Sequence, residues 1–177
     1  MCVCVYSLED NELGAAGAGA LAEALKLNVV LTHLDLSKNA LTNYGKDMSG
    51  IQALAAALSS GSAVLTSLDI SENDIGPELG VIMAEVLEKN LVLTNLNLSG
   101  NSIGGYYEDD NEFVPDLFGV KALSDALALG RAVLTTLECV FGARTRESRH
   151  NSCTHVFSSR ARSHQYHGFR PMCPFAI

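Results

Sequence analysis

Two short patterns alternate along the chain. The first sets apolar residues at fixed offsets: LTHLDLSKNAL (31–41), LTSLDISENDI (65–75) and LTNLNLSGNSI (93–103) all follow LTxLxLSxNxL, with Ile allowed for Leu. A weaker copy is VCVYSLEDNEL (3–13). LTTLECV (134–140) enters the frame again, with Gly142 where Asn would stand. The alternation within LxL predicts short strands near 5–8, 33–36, 67–70, 95–98 and 136–139. The second pattern is GAGALAEAL (17–25), GIQALAAAL (50–58), LGVIMAEVL (79–87) and GVKALSDAL (119–127), with apolar residues at i, i+1 and i+4. That spacing marks one helix face and predicts helices near 15–27, 50–59, 78–89 and 117–129. Gly and Ala in matching columns let neighbouring helices lie close together.

Each unit therefore reads strand, loop, helix, and repeats at about 28 residues. Leu34, Leu36 and Leu41 in one unit, and Leu68, Ile70 and Ile75 in the next, point between strand and helix. A single unit cannot bury that face, so stacking supplies the core. Asn11, Asn39, Asn73 and Asn101 recur where the chain leaves the strand. There a side-chain amide can satisfy backbone groups that the turn leaves unpaired, which predicts a structural ladder.

Over residues 3–140 these motifs resemble leucine-rich repeats, and the 28-residue spacing with helical returns is similar to the ribonuclease-inhibitor-like subclass. Ribonuclease inhibitor, the Ran GTPase-activating protein and the repeat regions of NOD-like receptors share it. The resemblance implies an α/β solenoid with a curved parallel sheet on its concave side and helices on its convex side. It implies an array over 1–140 of about four full units and a partial fifth, followed by a tail over 141–177. It is specific for fold and leaves function open.

Alternation along the strands exposes Ser7, Asp35, Asp69, Asn97 and Glu138 as one column of the concave face. Val5, His33, Ser67, Asn95 and Thr136 flank it on one side. On the other lie Glu9, Ser37, Ser71 and Ser99, then Asp10, Lys38, Glu72 and Gly100. Adjacent strands ~4.8 Å apart set Asp35 beside Asp69, where like charges repel. The expected partner is a protein with a basic surface, met by His33, Asp35, Lys38, Asp69, Glu72, Asn95, Asn97 and Glu138. Unit lengths place insertions at about 42–49 and 104–118. The second, GGYYEDDNEFVPDLF, offers Tyr106, Tyr107, Asp109 and Asp110 as loop contacts, because insertions in solenoids fall in loops on one side.

Composition narrows the chemistry. With 177 residues, 47% apolar and 18% charged, the chain is globular. No apolar run reaches the ~20 residues of a membrane span, and MCVCVYSLED has no basic n-region of a signal peptide. Five Cys without framework spacing suggest reduced thiols and a cytoplasmic setting. The net charge of −8 argues against nucleic acid as the main partner. It is unevenly spread: residues 1–140 hold six bases and nineteen acids, whereas 141–177 hold six Arg against Glu147.

That tail lacks apolar periodicity and is expected to be disordered. Cys153, His155, His164, His167 and Cys173 have no paired ligand spacing, so no metal is expected. Contact of the tail with RNA or an acidic surface is one reading, and its abrupt onset inside the fifth frame also fits sequence foreign to the array. Catalytic constellations are scarce. His33, Asp35 and Ser37 cannot form a relay along one strand, and GAAGAG (14–19) lacks the GK[ST] ending of a phosphate loop. The expectation is a non-catalytic interaction module without cofactor. The alternative is a GTPase activator resembling the Ran-specific family, for which Arg131 is the only Arg in the repeat body.

Overall fold

The structure, a computed structural model, describes residues 4–60, 64–107 and 113–139. In chain order these form β1 (Cys4–Ser7), α1 (Gly14–Leu27), β2 (Leu31–Asp35), α2 (Ser49–Ser59), β3 (Ser67–Asp69) and α3 (Glu78–Lys89). Then follow β4 (Asn95–Asn97), β5 (Gly105–Tyr107), β6 (Phe113–Pro115), α4 (Phe118–Ala128) and β7 (Thr136–Glu138). Strands β1, β2, β3, β4 and β7 make one parallel sheet in chain order, so each helical return advances the chain by one strand. All five strands and all four helices read from the two sequence patterns are present within a few residues.

The register explains why the pattern must repeat. Tyr6, Leu34, Leu68, Leu96 and Leu137 lie in one row across the sheet. Leu34, Leu36 and Leu41, with their counterparts Leu68, Ile70, Ile75, Leu96, Leu98 and Ile103, are 0–4% exposed. Ile51, Leu54 and Leu58 of α2 and Leu79, Met83 and Leu87 of α3 belong to the same buried cluster. Each such side chain contributes about 1.5–3 kcal/mol. Tyr6, in the first strand, is the exception at 64% exposure. The intervening residues, His33, Asp35, Ser67 and Asp69, are only half-buried, so helices cover one face of the sheet and leave the other open.

Close helix approach accounts for the glycine columns. A Cβ on Gly50 would lie 2.5 Å from the Ala15 carbonyl oxygen, and one on Gly80 would lie 2.5 Å from the Gly119 carbonyl oxygen. Both distances are below any real Cβ contact, so α1–α2 and α3–α4 pack backbone to backbone at these points.

The second insertion is more than an open loop. β5 and β6 pair antiparallel, Tyr106 opposite Val114, as a small hairpin beside the main sheet. Gly105 makes this possible, since a Cβ there would run into the Val114 carbonyl and the Phe113 ring. These two strands belong to one insertion and have no repeated counterpart along the chain to reveal them. Asp109, Asp110 and the tail beyond Cys139, with its boundary at 140–141 and its Cys and His residues, lie outside the described residues. Among the described residues, no helix is long and apolar enough to cross a membrane.

Candidate functional site

The open face of the sheet is built by the turn that follows each strand. In that turn the backbone runs left-handed on both sides of the repeated Asn. Asp10, Lys38 and Glu72 precede it at φ 61°, 57° and 53°, and Glu12, Ala40 and Asp74 follow it at φ 51°, 48° and 54°. Such turns leave N–H and C=O groups without a ladder partner, and the Asn side chains take them up. Asn73 Oδ1 accepts from the Asn39 N–H at 2.9 Å and the Leu41 N–H at 3.2 Å. Its Nδ2 donates to the carbonyls of Leu36, Ile70 and Ser71, each at 3.0 Å. Asn39 and Asn101 repeat this between their own neighbouring units, and all three are buried. Asn11, at the first unit, is exposed, and its side-chain amide donates within its own turn, to the Leu8 and Glu9 carbonyls.

A second ladder runs on the open face. The register aligns Ser7, Asp35, Asp69, Asn97 and Glu138 across all five strands. Asp35 Oδ1 accepts from the Ser37 N–H at 3.0 Å and the Ser37 hydroxyl at 2.7 Å, while Oδ2 accepts from the Ser7 hydroxyl at 3.1 Å. Asp69 Oδ1 accepts from the Ser71 N–H at 2.9 Å, and its Oδ2 from Asn97 Nδ2 at 2.8 Å. Asn97 Oδ1 in turn accepts from the Ser99 N–H at 3.0 Å and its hydroxyl at 2.7 Å. Asp35, Asp69 and Asn97 thus each close an Asx turn onto the serine two residues on. These bonds ease the repulsion between Asp35 and Asp69 that bare adjacency implies, yet they leave the net charge in place. At Asp35 burial pushes the carboxyl up. The Ser37 N–H, the Ser37 and Ser7 hydroxyls and the Lys38 charge outweigh it and hold the group below the ordinary carboxylate value.

The remaining candidates surround this column. His33 and Asn95 lie in the adjacent row with Val5, Ser67 and Thr136. His33 Nδ1 is 2.9 Å from the Thr32 hydroxyl, and Asn95 Oδ1 accepts from the Thr135 hydroxyl at 3.1 Å. Lys38 is bound to Glu9 at 2.6 Å, and that hydrogen bond, with the charges of Glu9, Glu72 and Asp10, raises its pKa. The lysine is therefore already matched by acid, and the row it shares with Glu72 stays acidic. Tyr106 and Tyr107 lie on the hairpin, away from the column, and Tyr106 is 44% exposed. Arg131 is exposed in the turn from α4 to β7, at the opposite end of the strands from the hairpin.

Two further ladders escaped the sequence reading. Thr66, Thr94 and Thr135 each donate both N–H and hydroxyl to the Thr carbonyl of the preceding unit, at 2.7–3.2 Å. Asn28 and Asn90 close two of the helix-to-strand turns, Asn90 accepting from Val92 and Leu93 at 2.8 and 2.7 Å. The signal was present in the invariant LT opening and in LNVVLT against KNLVLT, which the strand frame alone did not cover. Among the described residues, no group of three His, Cys, Asp or Glu is placed to hold a metal ion.

Comparison with known proteins agrees with this architecture. A family model described as "Leucine Rich repeat" matches residues 27–45 and 61–78. The chain is 40% identical over 107 residues to "NACHT, LRR and PYD domains-containing protein 4C" of Mus musculus, and 39% identical over 107 residues to protein 4E of the same series. Those matches cover 60% of this chain and 9% of each relative. Among solved structures, "Leiomodin-1 Actin-Binding Site 2 (ABS2)" superposes with a TM-score of 0.59 at 16% identity, covering 78% of this chain and 71% of that one. A Caenorhabditis elegans tropomodulin C-terminal domain gives 0.53 at 15% identity, covering 84% and 78%. At those identities the two structures show the fold alone.

Proposed function

We propose that this chain, a leucine-rich repeat protein of the ribonuclease-inhibitor-like type, is a non-catalytic cytoplasmic module that binds a basic protein surface on its strand face. One observation carries the reading: Asp35, Asp69 and Glu138 stand in a single row across the open face of the sheet. The cation beside them, Lys38, is already bridged to Glu9. A positively charged surface docking there relieves the mutual repulsion of the row and is steered to it at long range. The similar "Leiomodin-1 Actin-Binding Site 2" is a protein-binding domain by its printed description, which supports a protein as the class of partner.

The test exploits Asn97, which already holds the same turn without charge. The double variant Asp35→Asn/Asp69→Asn should keep the turns and lose the attraction. Proteins captured from cytosol by the wild type should be depleted with the variant. Capture by the wild type should fall as salt rises and the Debye length shrinks from ~10 Å at 0.1 M to ~3 Å at 1 M. Equal capture and equal salt response in both proteins would rule the strand face out.

A further inference from the structure

From the end of each strand through its turn, backbone N–H groups of one unit donate to the next. Leu36 donates to the Asp69 carbonyl at 2.8 Å, Lys38 to the Ser71 carbonyl at 3.1 Å, and Asn39 and Leu41 to Asn73 Oδ1. Leu8, Asp10, Asn11 and Leu13 donate in the same way to Asp35, Ser37 and Asn39. Ile70, Glu72, Asn73 and Ile75 repeat the set on Asn97, Ser99 and Asn101. The second, third and fourth units thus each meet their predecessor with two carbonyls and an amide oxygen, all acceptors. At the first unit the counterparts are the Ser7 and Glu9 carbonyls and Asn11 Oδ1. Strand β1 ends the sheet, and among the described residues Asn11 Oδ1 accepts no hydrogen bond.

The apolar side of the same end is open as well. Tyr6 is 64% exposed where Leu34, its partner in the row, is 4% exposed. Leu8, Leu13 and Leu21 are half-buried, while Leu36, Leu41 and Leu54 in the same columns are 0–1% exposed. Gly17 holds the column of Gly50, whose missing Cβ lets α2 close on the α1 backbone. Strand edge, core row, turn and helix therefore all present, at one end of the molecule, what the second unit presents to the first. A solenoid end that stays in water normally carries a polar cap, and this one carries exposed core columns.

We propose that this end of the solenoid is a docking surface for one further leucine-rich strand–helix unit, stacked in the register of the sheet. Continuity with the unit-to-unit interface fixes the occupant. It must supply N–H donors in the columns of Ile70, Glu72, Asn73 and Ile75, and apolar side chains over Tyr6, Leu8, Leu13 and Leu21. A plain extended segment reaches β1 alone and leaves the helix side open. A second copy pairing β1 with β1 must run antiparallel, which carries its turn away from Asn11. The surface is the end of the sheet and not its open face, so this inference goes beyond the binding reading above.

A single unit cannot bury its own apolar face, so the probe is joined to the chain. Residues 65–92, a complete unit, replace Met1 and Cys2, which sets the added Asn73 28 residues before Asn11. A second extension, residues 31–64, guards against a fault peculiar to one graft. The urea midpoint of the extended chain should rise, in a single transition. Asn11→Ala should shift the midpoint of the unextended chain little, and should lower that of the extended chain about as far as Asn73→Ala does. The Leu8 N–H faces β2, where it bonds Asp35, so the Ser7 amide before it faces away from the sheet. Hydrogen exchange at Ser7 should slow at least about tenfold on extension. Two separate transitions, an unraised midpoint with both extensions, or an Asn11→Ala loss that extension does not enlarge would overturn the proposal. Protection of the Ser7 amide in the unextended chain would overturn it too, and loss of that protection on dilution would make the occupant a second copy. No basic partner enters these measurements, so they fail or succeed independently of the strand-face capture.

Discussion

Two polar ladders cross the same sheet a few residues apart, and they differ in what surrounds them. Asn39, Asn73 and Asn101 are 0–5% exposed, and their amides bond backbone groups on two adjacent units. Asp35 and Asp69 are half-buried and bond chiefly the serine two residues on, with one further link to Ser7 or Asn97 on a neighbouring strand. The first ladder uses both halves of its amide, donor and acceptor, so only Asn serves. The second uses an acceptor oxygen alone in its turn, and Asn97 shows that a neutral side chain fills that role. A negative charge at 35 and 69 therefore exceeds what the turn requires. That surplus is what the proposed partner would use.

The sharpest way to test the contrast is to cut each ladder. Asn73→Ala strands two N–H donors and leaves three carbonyls short of a partner in a buried turn, and should lower stability by about 3 kcal/mol. Asn11→Ala, at the exposed first unit, should cost under about 1 kcal/mol, because water replaces its bonds to Leu8 and Glu9. Urea midpoints measure both. Equal losses would mean that burial does not set the worth of a rung.

Acid should act on the second ladder alone. The folded pKa of Asp35 lies below its ordinary value of 3.8. The ionised group thus contributes stability that is fully present above that value and is lost as pH falls through it toward the folded pKa. Asp35→Asn keeps the Ser37 contacts and cannot titrate. The urea midpoint of the wild type should therefore fall relative to Asp35→Asn between neutral pH and pH below ~4. A constant difference across that range would remove Asp35 as the source. Smallest of all, Ala40→Gly relieves a left-handed φ of 48° beside Asn39 at some cost in unfolded-chain entropy. A gain of at most about 0.5 kcal/mol should result, seen as a small rise in midpoint.

The repeat made most of the fold legible, because a strand-and-helix unit that cannot bury its own apolar face announces itself through spacing. Leu34, Leu36 and Leu41 and their counterparts carry that signal in every unit. Alternation also sufficed to place Asp35, Asp69, Asn97 and Glu138 in one row. What alternation could not supply was the hydrogen bonding along that row, since Ser37 and Ser71 read as neighbours on the face and not as the turn partners of Asp35 and Asp69. The hairpin at Gly105–Tyr107 was illegible for a different reason: its pairing rests on one glycine admitting the Val114 carbonyl, a contact with no periodicity.

The account rests most heavily on the claim that the turns at 35 and 69 require an acceptor oxygen and not a charge. Urea denaturation at pH 7 of Asp35→Asn/Asp69→Asn beside Asp35→Ala/Asp69→Ala separates the two. The Asn pair keeps both turns and gives up only the bond that Asp69 Oδ2 accepts from Asn97 Nδ2, so it should lose at most about 1 kcal/mol. The Ala pair should lose about 3 kcal/mol through two unclosed turns and that same bond. If the Asn pair falls as far as the Ala pair, the charge is itself structural, and the acidic row is scaffold with nothing in reserve for a partner.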